Sequence, residues 1–428
     1  MPFRHAAFLL VTLLPLATMS SPVLAGLFHV NVTVQDAVDN DPGDGECRIS
    51  SGDFCTLRAA VMEANANPGP DLIILPGNAT ITLNIAGTGN SAATGDLDIT
   101  ESVTIGTFVV PDDELPVIDA SALGNRIFDV RPGTELFALQ RVILSGGQAT
   151  AGAGIYIRDG ADEVTLNRVM LRDNAADEYG GGIYNLSARL RIDDSVFNEN
   201  NAHFGGAALV NDCGIVNIQR SSFWKNEYPG DTFVVSTVLA NRRLSLRHDC
   251  VTTFTATSIT HGDGQALLVQ NFTNDDQMKI SFQDSTLKNN RWAIELEEAD
   301  ALIMLINNVL ASQNPALNCV FDGIASLHPL SKVNLDTGSS CQTVLGTPAW
   351  TETDPGLAWT GSDGWHRFYR PQLNEFAVDV DTYCAEVDLI GRNRPIDGDG
   401  DGEALCDLGA VEYLNTSIGI FNDGFEAD

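Results

Sequence analysis

Three aspartates near the C-terminus have the spacing expected of ligands for a hard cation. Asp397, Asp399 and Asp401 alternate with glycine, and Gly402 follows the third of them. Carboxylates at positions one, three and five, with glycine at position six, form the first half of a Ca²⁺ loop, because alternating oxygen ligands let a flexible backbone wrap one ion. The pattern therefore indicates a Ca²⁺ site in this loop.

The second half of the loop departs from that pattern. Position twelve, where a calcium loop carries a bidentate glutamate, is Leu408 here. Glu403 or Asp407 would have to complete the coordination shell. A solvated acidic turn that binds no ion is the alternative interpretation, and the sequence leaves both open.

A second set of residues has the chemistry of a polysaccharide lyase. Such an enzyme combines a cation, which acidifies the proton beside a uronic carboxylate, with an Arg or Lys base on the same face. The aspartates of this set stand at a position where neighbouring repeats also carry polar residues, so solvent-facing turns explain them. The arginines fall in the predicted insertion between Cys213 and Cys250, where a run of charges is typically a solvated loop. We therefore assign no catalytic residue and keep a lyase or hydrolase as the alternative function. The candidates are Asp193, Asp194, Arg242, Arg243, Arg247, His248, His203 and His261.

The middle of the chain contains an internal repeat. Asn174, Asn200 and Asn226 lie about 26 residues apart, each with Leu or Phe three residues earlier. Self-similarity at such a period indicates a stacked architecture. A glycine-rich turn recurs with a similar period, beginning at Gly152, Gly180 and Gly205.

Each repeat has room for roughly three short strands with alternating apolar residues, as in Val164 and Leu166. Such strands cannot bury one face alone, so each coil must pair with the coils above and below it. We therefore predict an all-β fold, a right-handed parallel β-helix of about ten coils. The repeated Asn is expected to stack at one corner in a left-handed backbone conformation, and the glycines at another corner.

A short amphipathic helix is predicted before the repeats. Leu57, Ala60, Val61 and Ala64 have helical spacing, and Thr56 precedes them as an N-cap. An open end of a β-helix exposes apolar side chains and unpaired strand edges. We therefore expect this helix to cover the first coil.

The segments around this helix resemble a known element. Asp39–Cys47, followed by Cys55–Asn65, is similar to the N-terminal "CSLREA" element of bacterial secreted β-helix proteins, with Thr56 in place of Ser and Ala59 in place of Glu. The resemblance implies a secreted β-helix. We interpret Arg58 of this motif as a structural residue that bonds the loop around it.

The repeat phrases resemble those of a second family. Gly205–Ala207 and Phe197–Asn200 are similar to the "GGA(I/L)" and "FxxN" repeats of chlamydial polymorphic outer-membrane proteins, which are surface adhesins. This resemblance implies adhesion. Arg394–Tyr413 resembles the closing segment that accompanies such helices, and Ile420–Glu426 resembles a terminal tag of some exported proteins.

The N-terminus has the features of a secretory signal. Arg4 and His5 precede an apolar stretch over residues 6–17, and the small-residue pattern Val23–Ala25 predicts cleavage before Gly26. No later run reaches the ~18 apolar residues of a membrane span. We therefore expect an exported protein, secreted or at the cell surface.

Cysteine content and charge narrow the class of protein further. Eight cysteines, an even number in an exported chain, favour disulfides over a metal site. The formal net charge of −33 argues against nucleic acid and anionic lipid as partners and favours cations or a basic partner. Spacing alone does not fix the connectivity, and we predict pairing between neighbours: Cys47–Cys55, Cys213–Cys250, Cys319–Cys341 and Cys384–Cys406.

Together these patterns predict five segments. They are a signal peptide (1–25), a cap (26–69), the β-helix (70–345), a disulfide-closed region with the acidic loop (346–415) and a tail (416–428). We expect a monomer with a recognition, adhesion or structural role. The expected partner is an extracellular glycan or a cell-surface ligand, and Ca²⁺ is the one cofactor that the sequence suggests.

Overall fold

The computed structural model describes residues 25–108, 111, 114–227, 236–242, 250–262, 264–271, 278–338, 340–345, 350–351, 356–372 and 377–414. The predicted signal peptide up to residue 24 and the tail lie outside the described residues. So do the candidates Arg243, Arg247 and His248, and the side chain of Arg242.

The fold is a parallel β-helix, as the repeats predict. One sheet of 27 strands winds through the chain. Its strands pair in parallel with their equivalents in neighbouring coils and form three ladders, which we call faces A, B and C.

The strands of face A are Leu27–His29, Asp71–Ile74, Val103–Gly106, Leu136–Ser145, Glu163–Arg172, Arg189–Asp193, Ile215–Gln219, Val251–Thr255, Met278–Gln283, Trp292–Ile306 and Cys319–Leu327. The strands of face B are Thr80–Thr82, Val117–Asp119, Leu136–Ser145, Glu163–Arg172, Val196–Asn198, Ser222–Trp224, Ser258–Thr260, Thr286–Lys288, Val309–Ala311, Asn334–Asp336 and Trp350–Thr351. The strands of face C are Leu97–Ile99, Phe128–Val130, Ile155–Ile157, Ile183–Leu186, Leu209–Asp212, Val238–Arg242, Gln265–Asn271, Trp292–Ile306 and Cys319–Leu327. Four long strands turn a corner and therefore serve two faces.

The number of coils is slightly smaller than predicted. In the described part of the chain, nine coils have a strand on all three faces, against about ten coils expected, and the two further strands on each of faces A and B belong to incomplete coils. The first coils contain long loops, and an insertion separates Ile215–Gln219 from Val251–Thr255, so the same length of chain makes fewer turns. The stack also begins before residue 70, because Leu27–His29 pairs with Asp71–Ile74.

Register places equivalent apolar residues on top of one another inside the stack. Val164, Leu190 and Val216 are paired in successive strands of face A, and all three are buried. The rings of Phe197 and Phe223 stack with centroids 4.6 Å apart in the interior of face B. Each coil therefore contributes one layer to a continuous core.

The repeated Asn forms a buried ladder. Asn174 Nδ2 donates to Asn200 Oδ1 at 2.9 Å, and Asn200 Nδ2 donates to Asn226 Oδ1 at 3.0 Å. The predicted left-handed conformation of these residues is wrong, because it belongs to the residue before each of them, as at Glu199 (φ 54°) and Lys225 (φ 50°). The Asn turns inward to bond the next coil, and its outward-facing predecessor makes the bend.

Glycine occupies a different corner, as predicted. Gly152, Gly180 and Gly206 have φ of 61°, 68° and 60°, the left-handed region that disfavours a Cβ atom. A Cβ on Gly182 would lie 2.4 Å from the carbonyl oxygen of Ala208 in the next coil. The close approach of adjacent coils therefore requires glycine here.

Helix α1 (Leu57–Ala66) covers the start of the stack. Thr56 Oγ1 accepts a hydrogen bond from the N–H of Ala59, as an N-cap should, and Val61 is buried in the main core. Arg58 is fully buried and pairs with Asp36 at 2.7 Å, which agrees with a structural role.

A second helix, α2 (Ser340–Leu345), was not predicted. It packs against Cys319–Leu327 in the last coils, and Cys341 joins Cys319 in a disulfide. This helix covers the other end of the core, where a 3-10 turn (Pro315–Leu317) adjoins it. All four disulfides join the predicted neighbours. Neither described helix has the length and apolar character needed to cross a bilayer.

The resemblance of the segment Arg394–Tyr413 implied that the C-terminal region closes the end of the stack. Instead, this region packs along the outer side of face B. Trp365 packs against Val196, the N–H of Ala410 donates to Thr286 Oγ1 at 3.0 Å, and Leu408 packs against Val309. The outer side of face B carries apolar residues that need this cover. The region contains an antiparallel hairpin, Leu357–Ser362 with Arg367–Pro371. A separate small sheet comprises Gln148–Ala151, Ala175–Tyr179 and Asn201–Ala202.

Candidate functional site

An open groove lies at the corner of the stack where face B ends, next to the C-terminal hairpin. Its volume is about 460 Å³. Successive coils supply one wall and the hairpin Leu357–Pro371 supplies aromatic side chains beside it. The lining residues are Lys225, Glu227, His261, Asn289 and Gln313.

Four rings form a contiguous aromatic cluster at this groove. His261 stacks on Tyr369 at 5.7 Å with an interplanar angle of 14°. Trp359 meets both rings edge-on at 5.2 Å, and Trp224 meets His261 at 6.1 Å. Trp359 is 42 % exposed, so one large aromatic surface of the cluster faces solvent.

Hydrogen bonds fix the hairpin to the stack at the same place. The hydroxyl of Tyr369 lies 3.2 Å from His261 Nε2, and it accepts a hydrogen bond from Asn289 Nδ2. The phenolic proton is therefore available for His261, which acts as the acceptor.

The surroundings of His261 favour its neutral form. Burial lowers the pKa of the imidazole, and the charges of Lys225 and Lys288 lower it further. The ring is therefore an uncharged acceptor at neutral pH.

Three cations lie over aromatic rings beside the groove. Lys225 Nζ is 4.4 Å from the centre of the Trp224 ring, and the guanidinium of Arg367 lies 5.2 Å from the same ring. Lys288 Nζ lies 5.2 Å from the centre of the Tyr369 ring. A cation–π contact orients a positive charge over the face of a ring.

Directly before the second strand of the hairpin, the buried His366 joins the two parts of the molecule. His366 Nε2 lies 2.9 Å from Asp194 Oδ1, and its Nδ1 lies 3.3 Å from Ser222 Oγ. This set has the residue types of a catalytic triad, but Ser222 is fully buried and His366 is 2 % exposed. The arrangement fastens the hairpin to face B and offers no nucleophile to a substrate.

The charge of Asp194 depends on this contact. Burial alone would raise its pKa, but the hydrogen bond and charge of His366, together with Arg168, outweigh it and hold the pKa below its usual range. Trp365 Nε1 also donates to the Asp194 carbonyl oxygen at 2.9 Å.

The acidic loop brings only part of the predicted calcium set together. Asp397 and Asp399 lie beside Asp379, with one oxygen of each within 4.8 Å of the others. Asp379 was not among the predicted ligands, because it lies outside the Asp-Gly run. Asp401 and Glu403 do not belong to this cluster.

Carboxylates of the loop also hold its own backbone. Asp397 accepts from the N–H groups of Gly400 and Gly402, and Asp379 accepts from those of Gly398 and Asp399. Three carboxylates in this arrangement could hold a hard cation, with water completing its shell.

Asp407 has a different role from the predicted one. Its side chain is buried, and it accepts hydrogen bonds from the N–H groups of Asp379 and Tyr413. Burial and the charge of Glu412 raise its pKa, and Arg394 lies next to this pair. Asp407 therefore stabilises the closing segment from inside.

A network of ion pairs lies on face C, near the start of the stack. Arg158 Nε donates to Asp129 at 2.7 Å, and Arg131 lies 3.3 Å from Asp98. Asp98 is 1 % exposed. Burial, then the charges of Asp96 and Asp129, raise the pKa of Asp98 to about 7.

The other catalytic candidates do not converge. Asp193 pairs with Arg220, Asp194 fastens the hairpin, and His203 packs edge-on against Phe204. His261 is the one member of that candidate set among the residues that line the groove. The insertion arginines are outside the described residues or lack a described side chain.

Sequence reasoning missed most of the groove. Trp224 and Lys225 stood in the repeat as the two residues between Phe223 and Asn226. Tyr369 reaches His261 across 108 residues of chain, and no pattern in the sequence links them. The available signal was the density of aromatic residues in the hairpin, which has Trp359, Trp365, Phe368 and Tyr369 within 15 residues (357–371), whereas 7 % of the whole chain is aromatic.

Comparison with known proteins adds little to this geometry. No protein-family model matches the chain, so its resemblance to the CSLREA and polymorphic outer-membrane families stays a prediction. No curated protein sequence matches it either. Among solved structures, it is similar to the crystal structure of pectate lyase Pel9A, with 12 % identity and a TM-score of 0.35 over 92 % of this chain and 98 % of that one. We base no argument on a likeness of this degree.

Proposed function

We propose that this protein is an extracellular recognition protein that binds a polysaccharide in the groove beside the C-terminal hairpin. The observation that carries the proposal is the aromatic cluster of Trp224, His261, Trp359 and Tyr369 at an open groove. The four disulfides support an oxidising, extracellular setting.

The chemistry of the groove suits sugar rings. Aromatic faces pack against the apolar faces of pyranose rings, and a tryptophan with an exposed surface offers the largest area for such a contact. The amides of Asn289 and Gln313 line the same cavity and can both donate to and accept from hydroxyl groups. Convergent aromatic and amide groups are typical of ligand sites.

The architecture suits a long ligand. Coils repeat along the axis, and the groove residues Lys225, His261 and Asn289 stand in successive coils at the same corner. A rigid stack preorganises such a row, which reduces the entropy lost on binding a chain of similar units. We also propose that the protein adheres to surfaces through this glycan, which is the role that the resemblance of its repeats implies. We propose that it acts as a monomer.

Removal of the exposed tryptophan tests the proposal. Retention of the protein in gels or on columns containing polysaccharides should be lost in Trp359→Ala. The matched control is Phe54→Ala, which removes a similarly exposed ring (48 %) from the N-terminal cap. Equal retention of both variants would place any glycan contact elsewhere, and no retention of the wild type on any polysaccharide would overturn the proposal.

A polysaccharide lyase is the second candidate function, and the neutral imidazole of His261 is the observation that favours it. If a substrate displaces the Tyr369 hydroxyl from Nε2, the neutral imidazole can remove the proton beside a uronic carboxylate; the C4–O bond then breaks, a C4–C5 double bond forms, and the departing oxygen takes a proton from water. The ultraviolet absorbance of the unsaturated product, measured with and without EDTA, tests it. An absorbance increase that His261→Gln abolishes would favour the enzyme over the binding protein.

A further inference from the structure

We propose that removal of the predicted signal peptide creates a buried ion pair between the new α-ammonium group of Gly26 and the carboxylate of Asp71, and that this pair fastens the first strand to the stack. The sequence predicts cleavage between Ala25 and Gly26. The nitrogen of Gly26 lies 2.5 Å from Asp71 Oδ1. The atom that cleavage would charge is therefore in contact with a carboxylate.

Asp71 has too few hydrogen-bond donors around it while the nitrogen of Gly26 is an amide. The residue is 3 % exposed, and its Oδ1 accepts the one N–H of Gly26. Its Oδ2 is buried as well, and no group among the described residues donates to it. Because an uncompensated buried carboxylate is costly, a further donor at this point would stabilise the fold.

The electrostatic surroundings of Asp71 also favour a cation beside it. Burial raises its pKa, and the hydrogen bond from the Gly26 N–H lowers the pKa only in part. The charge of Glu101 raises the pKa further, because it has the same sign as that of the Asp71 carboxylate. A positive charge on Gly26 would oppose both effects.

Cleavage supplies that charge. When a peptidase of the export machinery hydrolyses the Ala25–Gly26 bond, water gives its hydroxyl group to the carbonyl carbon of Ala25. The Gly26 nitrogen takes the other proton of the water and the proton that the new carboxyl group releases, so a carboxylate and an ammonium form. An ammonium group has three N–H donors where the amide has one, and it can therefore donate to both oxygens of Asp71.

The position of this bond relative to the packed structure agrees with the proposal. Ala25 is exposed, whereas Gly26 is half-buried, so the edge of the stack coincides with the predicted cleavage point. A Cβ atom on residue 26 would lie 2.6 Å from Cζ of the Phe28 ring and 2.8 Å from Asp71 Oδ1. Phe28 belongs to the main core, which is closely packed, so the approach of the nitrogen to the carboxylate requires glycine.

The ion pair would secure an edge strand. Leu27–His29 is the first strand of face A and pairs in parallel with Asp71–Ile74. The carbonyl oxygen of Gly26 accepts from the N–H of Leu72 at 2.9 Å. Residues at the start of a domain fray unless they are tied down, and the charged pair ties this strand at its first residue. The uncleaved precursor lacks the charge, so the first coil gains its full stability only after processing.

Thermal melting of two chain lengths tests the ion pair. One protein begins at Gly26, and the other begins at Val23, which moves the α-ammonium group three residues along the chain from its place beside Asp71. We expect the protein that begins at Gly26 to melt at a higher temperature. Asp71→Asn should abolish the difference between the two lengths, whereas Asp53→Asn, an exposed aspartate in the cap, should preserve it.

A chemical measurement needs no substitution and decides the question if Asp71→Asn does not fold. Pairing with a carboxylate raises the pKa of an amine, and each unit lowers the fraction of free amine about tenfold. Acylation of the α-amine near pH 7, followed by mass spectrometry of the N-terminal peptide, should therefore be about tenfold slower in the chain that begins at Gly26 than in the chain that begins at Val23.

Three results would overturn the proposal. They are equal acylation rates in the two chains, a melting difference that persists in Asp71→Asn, and N-terminal sequencing of the exported protein that finds a first residue other than Gly26.

Discussion

The hydroxyl of Tyr369 lies 3.2 Å from Nε2 of His261, although 108 residues separate the two in the chain. His261 stands at a corner of the stack and Tyr369 in the C-terminal hairpin. This contact, together with the His366–Asp194 pair in the same arm of the hairpin, joins a segment outside the repeats to the stack. The aromatic cluster exists because these two parts meet.

The asparagine ladder should be a measurable source of stability. Asn200→Leu removes the side chain that accepts from Asn174 and donates to Asn226, and it leaves buried polar groups without partners. We expect a loss of about 1–3 kcal/mol in the free energy of unfolding, from chemical denaturation. Asn198→Leu, two residues away on the outer side of the strand, is the control and should cost less. Equal losses would contradict the ladder as the cause.

The depressed pKa of His261 predicts a pH dependence of stability. The unfolded chain binds a proton at the ordinary histidine pKa of about 6.5, whereas the folded protein resists it, so stability is lost as pH falls through that value. His261→Gln should therefore lose less stability than the wild type between pH 7.5 and 5.5, in thermal melts at each pH. A difference between the two proteins that stays constant over this range would be evidence against the depressed pKa.

Asp98 predicts the opposite slope. Its pKa rises from 3.8 to about 7 on folding, so the folded state binds the extra proton over that window. The stabilising contribution is complete below the unfolded pKa and is lost as pH rises through about 7. Asp98→Asn should flatten this decline and melt at a higher temperature than the wild type at pH 8. A steeper decline in the variant would show that the ionised carboxylate is favoured.

The coil could be predicted from the sequence because each coil contacts only its neighbours. Asn174, Asn200 and Asn226 carry enough information to place a corner, since their equal spacing has no simpler explanation than stacking. The bend fell one residue earlier than predicted. Sequence spacing cannot distinguish an Asn that bends from one that turns inward beside a bend.

The groove could not be predicted in the same way. Trp359 and Tyr369 lie outside the repeats, and their position depends on how the outer side of face B is covered. That cover is set by scattered contacts, such as Trp365 on Val196, with no period. His261 was a candidate from its residue type alone. The hairpin residues that contact it, Trp359 and Tyr369, could be identified only from the position of the hairpin in the structure.

Calcium binding remains a proposal with its own test. Asp379, Asp397 and Asp399 repel one another unless a cation lies between them, so Ca²⁺ should raise the melting temperature as RT ln(1 + [Ca²⁺]/Kd) predicts. Extracellular sites are often weak, and the titration should reach roughly millimolar Ca²⁺. Asp399→Asn should reduce the response, whereas Asp53→Asn, an exposed aspartate in the cap, should not. Melting that is indifferent to both Ca²⁺ and EDTA would identify the loop as a solvated turn.

Tryptophan fluorescence during titration with polygalacturonate, heparin and a neutral β-glucan tests the central claim most directly. Trp224 and Trp359 both lie at the groove, so bound glycan should change the emission of the wild type in a saturable way. Trp359→Phe should lose most of that change. An emission spectrum that no glycan alters, or an equal change in Trp359→Phe, would contradict glycan binding in this groove.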